Sequence, residues 1–310
     1  MSLPVSQRLT AGCKVNLGLR ITGIRPNGYH ELDSLFLPLA APCDVLDISP
    51  LPAATPQLEL HCAMPGLDLG HNTLTKAYQA FARRAQTPPP ALRLHLTKGI
   101  PSGAGLGGGS SDAAVLLRWL NDTAPAPLTE QELHLAALEV GADVPFFLMN
   151  CPCRVQGIGE RLTPVRVDLP DTVLVLLCPG ESISTPWAYG AYDAWCRRRD
   201  AAPQDAGDLT NGAIRDTGTS LSSMPKADAH CDAVFTREQA LAMRNDLEAP
   251  VAATYPVITE MRQALLQAGA WAAVMSGSGS AMVGLFASAT APVAARALSR
   301  RWQAHICAIA

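Results

Sequence analysis

Residues 98–117 read KGIPSGAGLGGGSSDAAVLL: a strand-like lead-in, a loop crowded with glycine and serine, then an apolar run at helical spacing. Glycine has no Cβ, so its backbone can approach an anion closely and take up positive φ, letting successive N–H groups converge on phosphate oxygens. The helix that follows adds the partial positive charge of its N-terminus. The stretch therefore predicts a phosphate cradle; a ligand-free strand-to-helix turn is the plainer alternative, and it needs fewer glycines than stand here. Gly103, Gly105 and Gly108 also fit G-x-G-x-x-G, the dinucleotide fingerprint. That unit requires a second strand ending in an acidic residue about 20 positions on, whereas Asp122 is followed by PAP and the helical pattern LTEQELHLAALEVG. No G-x-x-x-x-G-K-[ST] occurs, which excludes a Walker A loop.

The 310 residues suffice for two domains of ordinary size. With 48% hydrophobic and 16% charged residues the chain is globular, and a net charge of −3 argues against a nucleic-acid-coating surface and for a small substrate. The start, MSLPVSQRLTAGCKVNLGL, has no uninterrupted apolar segment and carries Arg8 and Lys14, so no secretory leader is expected. No apolar run reaches the length of a membrane span. Nine cysteines include no C-x-x-C pair; Cys151 and Cys153, in C-P-C, are the closest and do not by themselves make a zinc site. Reduced cytoplasmic thiols, mostly serving as small buried hydrophobes, are the expectation. His61, His71, His95, His134, His230 and His305 show no metal spacing.

Upstream of the glycine loop, Lys14 to Leu19 and Leu35 to Ile48 carry strand-like stretches, residues 72–85 read as an amphipathic helix, and Leu92, Leu94 and Leu96 alternate into the loop. Downstream, a helix is expected over about 110–120, and Thr129 with Glu132 forms a capping box for a second that Gly141 terminates. From about Asp171 the order strand (TVLVLLCP), helix (TPWAYGAYDAW), helix (YPVITEMRQALLQAGA), strand–glycine turn–strand (AAVMSGSGSAMVGLF), helix (TAPVAARALSRRW), strand (AHICAIA) is close to β-α-β-β-α-β. Residues 197–233 hold few large apolar side chains and read as a polar surface insertion.

Some polar residues have two readings. Ser110 and Ser111 either N-cap the helix or turn a hydroxyl toward phosphate or Mg²⁺. Asp143 can cap the segment before Pro145, and Lys14 can be a solvated strand-edge lysine, with Asn16 on the same face. Tyr29 and His30 follow a Pro-Asn-Gly turn that displays them side by side, hard to explain as packing.

The run Pro101 to Ala114 resembles the central motif of the GHMP kinases, the superfamily of galactokinase, homoserine kinase and mevalonate kinase. AGCKVNLGL at 11–19, GADVPFF at 141–147 and MSGSGSAMVGLF at 275–286 resemble three further motifs in the expected order. RPNGYHEL at 25–32, the triple glycine before Ser110 and NDLE at 245–248 narrow the likeness to the branch that uses ATP to phosphorylate the 2-hydroxyl of 4-diphosphocytidyl-2-C-methyl-D-erythritol in non-mevalonate isoprenoid synthesis. Another GHMP kinase, of the homoserine or mevalonate type, and a non-catalytic nucleotide-binding relative are the alternatives. The branch more often has Asp where Asn27 stands, and the polar insertion is longer than it expects.

The resemblance implies an α+β fold in which a ribosomal-protein-S5-like N-terminal domain (1–168) meets a ferredoxin-like C-terminal domain (169–310, insertion near 200–233), with the active site between them. It implies Asp143 beside the accepting hydroxyl and Lys14 as its partner; ATP on Pro101, Gly103, Ala104, Gly105, Leu106, Gly107, Gly108, Gly109, Ser110 and Ser111, with Asn72 and Lys98 near the adenosine; and Mg²⁺, with Ser110 or Ser111 as possible ligand. On the substrate side it implies Asn16 as a hydrogen-bonding residue, Tyr29 and Tyr189 sandwiching the cytosine, with Trp187 as the rival of Tyr189, and His30 on the base edge. Gly277 and Gly279 would close the cleft on the phosphate side. A cytoplasmic monomer or weak homodimer, with no nucleic-acid or membrane partner, completes the expectation.

Overall fold

The strand around Lys14 is longer than its apolar stretch. In the computed structural model, which describes residues 6–52, 55–64, 72–200 and 233–309, β1 (Gln7–Ile24) and β2 (His30–Pro50) form an antiparallel ribbon from Gln7↔Ile48 to Ile24↔His30. Pairing extends both strands through polar ends that local pattern does not mark as strand, a tertiary effect overriding propensity. The other edge of β2 is shared: its first half pairs with β5 (Cys153–Gly157) and its last residues with β4 (Leu92–Thr97). β3 (Leu58–Cys62) beyond β4 and β6 (Arg161–Pro164) beyond β5 complete a six-stranded sheet; these edge strands and β5 are not read from the sequence.

Helices α1 (Thr73–Ala82), α2 (Gly108–Thr123), α3 (Glu130–Val140) and α4 (Val144–Met149) cover one face of this sheet, burying Phe81, Leu116, Leu117 and Phe146 against Phe36, Leu46 and Ile48. The Thr129–Glu132 capping box opens α3 and Gly141 is its C-cap. α2 begins at Gly108, two residues before the expected start, so neither Ser110 nor Ser111 is its cap; Gly107 is.

A short parallel pair, β7 (Arg166–Asp168) with β9 (Val234–Thr236), leads to the second sheet, built from β8 (Thr172–Cys178), β10 (Ala272–Met275), β11 (Met282–Ala287) and β12 (Gln303–Ala308). Its order, β10-β11-β8-β12, all antiparallel, is that of a ferredoxin-like unit. One face packs on α5 (Thr185–Asp200), α7 (Glu248–Ala252), α8 (Val257–Gln267) and α9 (Ala291–Leu298), with α6 (Arg237–Leu241) following β9. The other face packs on the β1–β2 ribbon: Cys13, Val15, Leu17, Leu35, Leu37 and Leu39 meet Leu174, Leu176, Val283 and Leu285. In the middle of the ribbon, odd-numbered residues 13–17 and 35–39 thus serve this joint core, leaving Lys14 and Asn16 on the opposite face. The expected insertion near 200–233 lies almost wholly outside the described residues, as do His71 and His230. No helix among the described residues is long and apolar enough to cross a membrane.

Candidate active site

A cleft of about 940 Å³ runs along the ribbon. Of the residues expected at a site, Lys14, Asn16, Tyr29, His30, Asn72, Lys98, Pro101, Gly103–Ser110, Asp143, Tyr189 and Gly277 line it; Ser111, Gly279 and Trp187 do not. Ser111, on the buried side of α2, is 2% exposed, and Trp187 packs edge-on against Tyr255, centroids 5.1 Å apart.

At the centre, Lys14 is buried among apolar groups, its Nζ 4.4 Å above the Phe36 ring. The ammonium donates to Asn16 Oδ1 at 2.6 Å and stands 3.8 Å from Asp143 Oδ2. Burial pulls the Lys14 pKa down, and the charge of Asp143 opposes that. Asp143 occupies the N-cap position of α4, yet its side chain makes no capping hydrogen bond and is about a third exposed (32%). Asn16 is braced in turn: its Nδ2 donates to Ser34 Oγ at 2.9 Å and its backbone N–H to Ser276 Oγ at 3.1 Å.

The glycine loop is fastened to this centre. The Lys14 N–H donates to Leu106 O at 2.9 Å. Gly107 caps α2 at φ 72°, and a Cβ there would lie 2.9 Å from the Phe147 ring and 3.2 Å from Lys14 Cγ, so the position admits only glycine. Ser111 N–H donates to Gly107 O at 2.9 Å, closing the first turn. The amides of Gly108, Gly109 and Ser110 precede any intrahelical acceptor and form the positive end of the helix, where an anion is favoured. The second glycine loop, between β10 and β11, interlocks with the first: Ser276 Oγ donates to Gly105 O at 3.3 Å and Ala281 N–H to Ala104 O at 3.1 Å. Asn245, in the NDLE string, donates to Met275 O at 2.8 Å and Gly277 O at 2.7 Å.

At one end, Asn72 caps α1, its side chain accepting from Thr75 N–H at 3.0 Å. Lys98 donates to the carboxylates of both Asp44 and Asp112, the latter at 3.0 Å. Asp44, fully buried, accepts from the Gly99 and Ile100 amides at 2.7 and 2.8 Å and so sets the entry into the glycine loop. Burial and then the neighbouring Asp44 push Asp112 up to about 7, against the pull of Lys98; its Oδ1 is buried with no partner among the described residues. Burial lowers the Lys98 pKa, but the two carboxylates more than offset it.

At the other end, Tyr29 is 60% exposed on its turn. The His30 ring lies on Tyr189, centroids 4.8 Å apart and 30° between planes, and its Nε2 meets Asp193 Oδ1 at 2.7 Å. Burial, with a smaller effect from Asp143, raises the Tyr189 pKa to about 12, so this hydroxyl stays neutral. Asp193, Asp44, Asp112, Ser276 and Asn245 are the supporting residues that sequence reasoning missed. Asp193 had a signal, standing four residues after Tyr189 on a helical pattern; Asp44, 54 positions from Lys98, had none.

The cleft can therefore take an anion on helix-terminal amides, an alcohol beside a lysine–carboxylate pair, and a planar ring against the exposed Tyr29, next to the stacked His30–Tyr189 pair. The models of the GHMP kinases N terminal domain and of the GHMP kinases C terminal match residues 72–151 and 235–304. The chain is 44% identical to the 4-diphosphocytidyl-2-C-methyl-D-erythritol kinase of Nitratidesulfovibrio vulgaris, covering 90% of this chain and 89% of that one. It is 42% identical to the enzyme of that name from Lawsonia intracellularis, covering 90% and 88%. A crystal structure of 4-(cytidine 5'-diphospho)-2C-methyl-D-erythritol kinase superposes with a TM-score of 0.72 at 33% identity, covering 97% and 98%. Homoserine kinase from Cytophaga hutchinsonii shares the fold, TM-score 0.70 at 15% identity, covering 100% and 96%.

Proposed function

Because the chain belongs to the GHMP kinases, in the branch of the 4-diphosphocytidyl-2-C-methyl-D-erythritol kinases, we propose that it transfers the γ-phosphoryl group of ATP to the 2-hydroxyl of 4-diphosphocytidyl-2-C-methyl-D-erythritol. The observation that carries the reading is the Lys14–Asp143 pair, set in one cleft between the amides that begin α2 and the Tyr29–His30–Tyr189 group. The triphosphate rests on the amides of the glycine loop, with Asn72 and Lys98 toward the adenosine. The cytosine lies against Tyr29 and Tyr189, where stacking supplies affinity for any base. His30 reads the base edge through Nδ1, held by Asp193, which accepts the hydrogen bond from Nε2.

Asp143 receives the hydroxyl proton or aligns the hydroxyl, and Lys14 stabilises the developing oxyanion. Asn16 holds the Lys14 ammonium in place and offers a hydrogen bond to the polyol. The donor set fits Mg²⁺, which prefers oxygen ligands shared among phosphate and water: Ser110 reaches the cleft and would hold it, and the ion would neutralise phosphate charge. The same reading divides the chain into domains at 168/169 and makes it a cytoplasmic monomer or weak homodimer with no nucleic-acid or membrane partner.

The test is ADP release with ATP, Mg²⁺ and three acceptors: the cytidylyl substrate, homoserine and mevalonate. Turnover with the first alone is expected. Preference for either of the others would overturn the substrate, and nucleotide binding without turnover of any would make the chain a silent relative.

A further inference from the structure

Cys151 and Cys153 flank Pro152 where α4 hands over to β5. Their sulfurs lie 3.8 Å apart, and the Cys153 thiol donates to Cys151 O at 3.2 Å. Cys151 is half-buried, whereas Cys153 is fully buried.

We propose that Cys151 and Cys153 form a reversible thiol–disulfide modification site that takes a low-molecular-weight disulfide such as oxidised glutathione, and that its closure slows phosphoryl transfer. The Cys151 thiolate attacks one sulfur of the glutathione disulfide; that bond breaks, one glutathione leaves, and a mixed disulfide forms on Cys151. The Cys153 thiolate then attacks Cys151 Sγ and releases the second glutathione. Two protein thiols are oxidised, one disulfide is reduced to two thiols, and the two cysteine protons end on the glutathione sulfurs.

Closure must bring the sulfurs from 3.8 Å to about 2.0 Å. Cys153 cannot give way, because its backbone is paired with Phe36 on one side and Pro164 on the other. Pro152 is pinned too, its carbonyl accepting from Val165 N–H at 2.9 Å. The movement therefore falls on Cys151 and the last turn of α4, where Asn150 N–H donates to Phe146 O at 2.8 Å. α4 backs the reacting centre at several points. Asp143 is its N-cap, Phe147 backs Gly107, and Phe146 meets edge-on, at 5.3 Å, the Phe36 ring that lies under Lys14. Chemical oxidation is independent of what the cleft binds; its effect on rate rests on the kinase reading.

The experiment equilibrates the full chain in glutathione buffers of increasing oxidised fraction and reads intact mass, peptide maps and kcat on the same samples. Wild type should lose two hydrogens within the 151–153 peptide, with kcat falling several-fold and recovering in dithiothreitol. Cys153→Ala should keep one glutathione on Cys151, and Cys151→Ser should show neither the bond nor the kinetic response. Thermal melts check that both variants fold, and Cys151→Ser, altering the less buried residue, stands in if Cys153→Ala does not. Free thiols, or a glutathione adduct that persists on wild-type Cys151, would overturn the site. A closed disulfide with unchanged kcat would overturn the link to α4. A reduced enzyme without kinase activity would count against the kinase reading alone, since the mass result still judges the disulfide.

Discussion

Replacing Asp143 with asparagine keeps the outline of the side chain while removing its charge and its proton acceptor. The carboxylate stands 3.8 Å from the buried Lys14 ammonium and is itself 32% exposed. At that spacing Coulomb's law gives about 4 kcal/mol at an effective dielectric of about 20 and about 1 kcal/mol in bulk water, and partial exposure puts the pair between these limits. Burial already draws the Lys14 proton away, and Asp143 is the main group that retains it. In Asp143→Asn the lysine therefore loses its proton at lower pH, and no carboxylate remains to receive the proton of the hydroxyl. The expected kcat is lower by roughly 10²–10⁴, ATP and substrate affinities change little, and the alkaline limb of the kcat profile moves to lower pH. Lys14→Met lowers kcat as well, and the double variant loses less than the product of the two, because the pair acts as a unit. Single-turnover transfer by rapid quench, beside calorimetric ATP binding, measures this. Near-normal transfer in Asp143→Asn, or an unmoved alkaline limb, would refute the reasoning.

Tyr29→Ala should raise the substrate KM by the loss of one base stack, about 1–3 kcal/mol, and leave the ATP KM unchanged in steady-state assays. Asp193→Ala removes the acceptor of the His30 Nε2 proton, so the ratio of kcat/KM for cytidylyl over uridylyl substrate should narrow. Asp112 is raised to about 7 in the fold, so the native state holds a proton that the unfolded chain gives up from about pH 4 upward, and stability falls as pH rises across that window at about 1.4 kcal/mol per pKa unit. Asp112→Asn should flatten that slope in urea unfolding compared at about pH 5 and about pH 8. Gly107→Ala should lower the melting temperature markedly, through left-handed strain and a clash with Phe147, whereas Gly109→Ala, whose Cβ would meet Thr73 Oγ1 at 3.2 Å, should do so far less.

The glycine stretch was legible because strand, left-handed turn and helix N-terminus each have local requirements that only certain residues meet. The Thr129–Glu132 box was legible for the same reason, and the second unit's order could be read from alternating apolar runs. What local pattern could not show is pairing. The polar ends of the β1–β2 ribbon, the edge strands β3 and β6, and β5 are strands because of their neighbours. Asp44 is a loop anchor only once β2 lies beside residues 98–100. Serine at 110 and 111 satisfies the local preference for a cap, but the backbone turns earlier, at Gly107, whose left-handed conformation is set by its packing against Phe147 and Lys14.

The two sheets hold one set of leucines in common, and this decides how the molecule can move. Swinging one unit away from the other would pull Leu17, Leu35 and Leu37 off Leu174 and Leu176, at about 1.5–3 kcal/mol for each side chain re-exposed to water. A hinge that costs several such terms is not available during turnover. Among the described residues, then, substrates enter a slot whose two sheet walls are held at a set distance by this shared core. Heat or urea, for its part, should find no half of this chain that can melt while the other stays folded.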